Sequence, residues 1–226
     1  MARWSRSAND PSPAPPRMTE LDMKPTTFWL IRHATVTPDA LALLYGQMDV
    51  PICGERRLRD TPRYAALASS LPRPAHWVVT PLSRTRLTAE AIMAAGYGPV
   101  VPQVEETLIE QDFGIWQGMN MSEFNRRGSP HPFWPVGGDE QPPEGESFAQ
   151  LRARVGAGLD RLGDAHRGKD VVAVSHGGAI RAAVAHALDL TAHQALSLAI
   201  ENLSVTRIEH HGHAWRVVTV NEQISI

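Results

Sequence analysis

Three apolar runs in this chain each lead into a cationic or imidazole side chain. They are Leu30-Ile31-Arg32-His33, Val78-Val79-Thr80-Pro81-Leu82-Ser83-Arg84 and Val174-Ser175-His176-Gly177-Gly178. Arginine presents a planar fork of donors that matches the oxygens of a phosphate or carboxylate. A neutral imidazole is a competent nucleophile, and nearby guanidinium groups disfavour its protonated form. Gly177 and Gly178 let a ligand approach the backbone N–H groups that open a following helix, a place that favours anions. Two arginines and two histidines brought to one crevice therefore suit a phosphate dianion, since phosphoryl transfer needs positioning and charge stabilisation above all. Each segment alone has a plainer reading: a surface Arg-His pair, a turn into a helix, a solvated helix-start arginine. On residue types alone, binding and catalysis both stay open.

The elements that must position these residues alternate between strands and helices. Strands are expected at 27–31, 77–80, 100–104 and 171–175, the last being the clearest buried strand. Helices are expected around Leu58 to Leu71 with Pro62 in the first turn, from Thr85 to Ala95 ending at Gly96 and Gly98, from Ser147 to Leu162, and from Gly177 to Leu188. Two late runs, 203–208 and 215–220, read as a hairpin turned at His211-Gly212-His213. The expected fold is a three-layer α/β/α domain with a mostly parallel, mixed sheet. In such sheets sites form beyond the carboxyl ends of the strands, where the cationic groups stand. The loop-rich stretch from Gly114 to Gly145 is long enough to cover a site. Its Phe133, Trp134 and Pro135 suit either a cover or core packing.

Bulk composition agrees with one domain. The chain has 226 residues, 42% apolar, with a formal net charge of -2. That balance gives no basic field for nucleic acid, and no apolar run is long enough to span a bilayer. Residues 1–24 are polar and proline-rich and read as a flexible tail, leaving 25–226 as the domain. Cys53 is the sole cysteine, so no internal disulfide forms within the chain. This suits a reducing compartment, and cytoplasmic residence is the expectation. Nothing in the sequence decides between a monomer and a dimer.

Taken together, the motifs resemble those of the histidine phosphatase superfamily, the group that includes the cofactor-dependent phosphoglycerate mutases. Arg32-His33-Ala34 is similar to its Arg-His-Gly signature, and Pro81-Leu82-Ser83-Arg84 with Thr88-Ala89-Glu90 to a second element. Leu108-Ile109-Glu110 through Gly114, Trp116 and Gly118 resembles a third, Gly145-Glu146-Ser147 a fourth, and Ser175-His176-Gly177-Gly178 the second histidine motif. The resemblance implies a phosphoglycerate mutase-like fold. It implies that His33 takes the phosphoryl group, that Arg32, Arg84 and His176 neutralise its oxygens, and that Glu110 serves as acid and then base. Gly177 and Gln47 would contact substrate, and neither metal nor cofactor is implied. Asn202 and Ser204 resemble a late Asn-x-Ser pattern with no evident physical role.

Two positions depart from the pattern. Ala34 stands where the family has glycine, and Asp39 where many members place asparagine. A carboxylate at 39 would repel a phosphate dianion unless turned away or neutralised. The implied activity is hydrolysis of a small phosphomonoester. A phosphate-binding protein without activity is the alternative from another class. A mutase is disfavoured by the short interval between Glu110 and Gly145, which leaves little chain for a tight lid.

Overall fold

The structure, a computed structural model, describes residues 24–128 and 131–225. The tail expected over 1–24 lies outside these residues apart from Lys24. In chain order the elements are β1 Thr26–Arg32, α1 Pro38–Leu41, α2 Gly54–Arg59, α3 Thr61–Ser70, β2 His76–Val79, α4 Ser83–Ile92 and β3 Gln103–Val104. There follow α5 Met121–Asn125, α6 Phe148–Ala165, β4 Asp170–Ser175, α7 Gly177–Leu188, α8 Ala192–Ala195, β5 Val205–His210 and β6 Trp215–Glu222. The sheet runs β3-β2-β4-β1-β5-β6. The first four strands in that order are parallel, while β5 runs antiparallel to both β1 and β6.

The side chains of β4 alternate between two cores, as a strand buried on both faces requires. Val171 and Ala173 pack with Leu151, Val155 and Leu159 of α6 and with Ile180 of α7. Val172 and Val174 pack with Leu67 of α3 and Ala89 and Ile92 of α4. These are the expected three layers. Among the described residues no helix is long and apolar enough to cross a membrane.

Three element boundaries differ from expectation. The single helix expected from Leu58 to Leu71 is two, α2 and α3, which meet at Asp60; Pro62 sits in the first turn of the second. The third strand is only Gln103–Val104, because that edge pairs with β2 at two positions and Val101 is 91% exposed. The described residues of the stretch from Gly114 to Gly145 pack around a small core of Leu44, Phe113, Trp116, Phe124 and Val136, with α5 among them. The helices at 147–162 and 177–188 form as expected, Ser147 capping α6 through a reciprocal bond pair with Gln150. The closing hairpin also forms, with His211 N–H bonded to Ala214 O at its turn.

Candidate active site

Strand register brings the cationic segments together. In the parallel pair β1 and β4, Arg32 lies opposite Ser175, and His33 N–H donates to Ser175 O at 2.9 Å. On the other side of β4, Val79 lies opposite Val174, so Thr80 and the start of α4 arrive beside His176. The rings of His33 and His176 stand 5.2 Å apart, centroid to centroid.

The hydrogen bonds set both tautomers. His33 Nδ1 lies 2.7 Å from Ala34 O, which can only accept, so Nδ1 carries the hydrogen and Nε2 keeps its lone pair. His176 Nδ1 accepts from Arg84 Nε at 3.3 Å, so its hydrogen sits on Nε2 and donates to Thr80 Oγ1 at 2.9 Å. Burial holds the pKa of each ring well below the ordinary histidine value; for both, Arg84 is the largest charged contributor, with Arg32 adding to it. Both imidazoles are therefore neutral, which meets the requirement for a nitrogen nucleophile.

Arg84 is fully buried. Its Nη1 and Nη2 donate to Met48 O and Gly46 O, both at 2.7 Å, so it fixes the 46–48 loop while projecting charge into the crevice. Burial lowers its pKa, opposed by Glu110, Tyr45 and Asp49. Arg32 donates through Nη1 to Ile200 O, whereas its Nε is buried without a partner among the described residues. Such an orphaned donor costs about 1–3 kcal/mol, which an anion accepting its hydrogen would recover. Its guanidinium lies over Gly177, where a Cβ would stand 3.4 Å from Arg32 Cζ.

Glu110 lines the same cavity as Arg32 and Gly177. Its two carboxyl oxygens accept from the backbone N–H groups of Gln111 and Gly178, at 3.0 and 3.1 Å. The glycine at 178 leaves the carboxyl its place, since a Cβ there would lie 2.3 Å from Glu110 Oε1. Gln47, expected to touch substrate, instead bonds through its side-chain amide to Glu110 O at 2.9 Å and so braces the acid.

Asp39 is exposed in the first turn of α1, which Thr37 caps, and its carboxylate makes no part of the wall. The extra methyl of Ala34 is buried in the core beside α4, and Ala34 N–H bonds Thr88 Oγ1 at 2.9 Å. Trp134 and Pro135 do line the crevice, while Phe133 is 67% exposed beside it.

Sequence reasoning missed several contributors. Arg181, four residues beyond Gly177 on α7, is buried, lies over the Trp134 ring at 4.7 Å and donates through Nε to Leu198 O. Burial, and then Arg32, push its pKa down to about 10. Its i, i+4 spacing from Gly177 was the available signal. Arg154 of α6 pairs with Glu146 and donates to the carbonyls of Thr107, Ile109 and Glu110. Asn202 gains a role: its Nδ2 donates to His33 O at 2.7 Å, while Ser204 Oγ bonds Glu201 O. None of Arg32, Arg84 and Arg181 forms an ion pair with a carboxylate among the described residues. Arginines without a carboxylate partner among the described residues, two buried neutral imidazoles and a carboxyl beside the start of α7 make a group that can hold an anion.

Known proteins share this arrangement of elements. The probable phosphoglycerate mutase GpmB of Escherichia coli O1:K1 is 29% identical over 189 residues, which are 83% of this chain and 86% of the relative. The solved structure of YhfR from Bacillus stearothermophilus superposes with a TM-score of 0.74 at 25% identity, covering 88% of this chain and 98% of that one. A mycobacterial glucosyl-3-phosphoglycerate phosphatase, solved with VO3, has the same TM-score of 0.74 at 24% identity over 87% of this chain and 99% of that one, a likeness of fold. A sequence model of one family matches residues 28–223. With that match covering nearly the whole described domain, the chain belongs to the histidine phosphatase superfamily, branch 1.

Proposed function

We propose that the protein hydrolyses a small phosphomonoester through a phosphohistidine on His33. The observation that carries this reading is the anchored ring: with Nδ1–H bonded to Ala34 O, the lone pair of Nε2 is left for phosphorus. Nε2 attacks, the N–P bond forms and the P–O bond to the leaving alcohol breaks, while Glu110 gives that alcohol its proton. Water then attacks the same phosphorus, Glu110 takes the water proton, the N–P bond breaks and inorganic phosphate leaves. Arg32 and Arg84 neutralise the equatorial oxygens in both steps, and neutral His176 offers them its N–H as a hydrogen-bond donor. Gly177 leaves room for those oxygens beside the start of α7. Metal and cofactor are not called upon, because side chains account for every charge and proton moved. The partner is a small phosphorylated molecule, and cytoplasmic residence follows from the cysteine usage.

Rapid quenching of wild type with a labelled phosphomonoester tests the reading. Acid-labile, base-stable label on His33 is expected; its persistent absence across a broad panel of esters would favour a phosphate-binding protein. A mutase reading takes its support from the name of the GpmB relative. Efficient interconversion of 2- and 3-phosphoglycerate, primed with the bisphosphate, would replace hydrolysis with that activity.

A further inference from the structure

The space next to Glu110 has unusual walls for a site that must receive an alcohol. A cavity of about 180 Å³ opens there, and Arg32, Glu110 and Gly177 line its inner end. The remainder is formed mainly by Leu41, Leu44, Tyr45, Phe113, Met121 and Trp134. They come from four separate places: α1, the loop after it, the segment following Glu110, and the stretch between Gly114 and Gly145. Trp134 directs its indole N–H to Gln111 Oε1 at 2.8 Å, which leaves ring carbons to the cavity. Leu41, at the rim, is 50% exposed, an apolar side chain held at the mouth of a polar reaction centre.

We propose that this cup binds the leaving group, and that the favoured substrates are phosphomonoesters of apolar alcohols the size of a benzyl or short branched alkyl group. The inference rests on the phosphatase reading, because it is the role of Glu110 as proton donor that places the leaving oxygen at the cup's inner end. Size supports the assignment, as an apolar cavity of roughly 150 Å³ accepts a benzene ring. Chemistry supports it too. A polyol placed here brings several hydroxyl groups against leucine, methionine and aromatic carbon, where most would lose water without gaining a partner, the Tyr45 hydroxyl being the one polar group among these six side chains not already bonded to the described residues. An apolar pocket rejects an added hydroxyl only modestly, so the preference should be roughly ten- to a hundredfold per substrate pair, not absolute.

The test compares benzyl phosphate with glycerol 3-phosphate, both esters of primary alcohols, so that leaving-group reactivity differs little. For wild type we expect kcat/KM to favour benzyl phosphate by roughly ten- to a hundredfold. In Leu41→Gln and Met121→Gln, two partly exposed positions whose substitution spares the buried core, that ratio should narrow severalfold. His33→Ala should abolish turnover of both esters, which separates the two readings. Equal or reversed preference in an active wild type would overturn the cup assignment and leave hydrolysis standing. Absence of His33-dependent turnover on every ester, p-nitrophenyl phosphate included, would overturn both.

Discussion

The ring of His176 stands edge-on to that of His33, with centroids 5.2 Å apart and planes inclined at 61°. Parallel pairing of β1 with β4 produces this relationship, since Arg32 and Ser175 are register partners and each histidine follows its partner residue. Among the described residues neither ring has a carboxylate behind it. His33 is oriented by a backbone carbonyl, and His176 by a guanidinium and a threonine hydroxyl. A carboxylate would favour imidazolium; here burial first, and then Arg84, keep both rings neutral, and on His33 they outweigh the opposite pull of the Ala34 carbonyl.

The two rings should therefore separate in mutational effect. His33→Ala removes the covalent route and is expected to lower kcat by at least about a thousandfold. His176→Asn removes one stabiliser of the phosphoryl oxygens and should cost roughly a hundred- to a thousandfold. Labelled phosphoenzyme should still form in the second variant, slowly, and never in the first. Equal labelling in both variants would remove His33 from its role.

Stability should carry a signature of the same burial. Above pH ~6.5 both rings are neutral in the folded and unfolded chain alike, and they contribute no slope. As pH falls through that value, the unfolded chain takes up protons that the folded chain refuses, and stability drops by up to about 1.4 kcal/mol per pH unit for each histidine. His131 and His166, also lowered mainly by burial, add to the slope. Urea unfolding of wild type and His33→Asn between pH 8 and 5 isolates one contribution: the variant should show the shallower acid slope, and parallel curves would contradict the neutral ring.

Much of the centre was legible in the sequence because it is built from strand ends. Arg32, His33, Thr80 and His176 all follow runs whose apolar, β-branched character announces a buried strand, and parallel register does the rest. Arg154 and Arg181 were hidden for the opposite reason. A helix arginine looks solvated until tertiary packing brings carbonyls to it, as Glu110 O and Leu198 O are brought here. The edge strand β3 is shorter than its sequence suggests because Val100 and Val101 are apolar without being buried. The short helix α8 escapes a periodicity reading, although Thr191 and Gln194 spell a capping box. Asp39 looks obstructive in sequence because spacing along the chain does not reveal that α1 turns it to solvent.

Arg154 offers a test of how Glu110 is held. Its guanidinium is paired with Glu146 and gathers the carbonyls of Thr107, Ile109 and Glu110. Replacing it with methionine keeps much of the stem while releasing that segment. The kcat/KM for alkyl phosphates, which reports the step that puts a proton on the leaving oxygen, should fall about tenfold or more, and that for p-nitrophenyl phosphate should be far less affected. Glu110→Gln should show the same dependence on leaving group with a larger loss. A uniform loss across both esters would indicate general unfolding of the segment and not a displaced acid.

Gly178 tests the acid from the other side of the cleft. Its N–H donates to Glu110 Oε2, and a Cβ built there would lie 2.3 Å from Oε1, closer than any real contact. Gly178 is in the first turn of α7 without positive φ, so alanine brings no backbone penalty and a small gain in helix propensity. The main collision is with Glu110, with Trp134 Cζ2 also close at 3.2 Å, and it is relieved by moving the carboxyl, since the helix is fixed by β4 and the core. Gly178→Ala is expected to fold with near wild-type thermal stability, yet to lose roughly a hundredfold or more on alkyl phosphates through the displaced proton donor. His33 should still be phosphorylated by p-nitrophenyl phosphate, with phosphoenzyme accumulating because the water-activating step also needs Glu110. Wild-type turnover of alkyl esters in this variant would show that proton transfer to the leaving alcohol does not depend on the carboxyl's place beside Gly178.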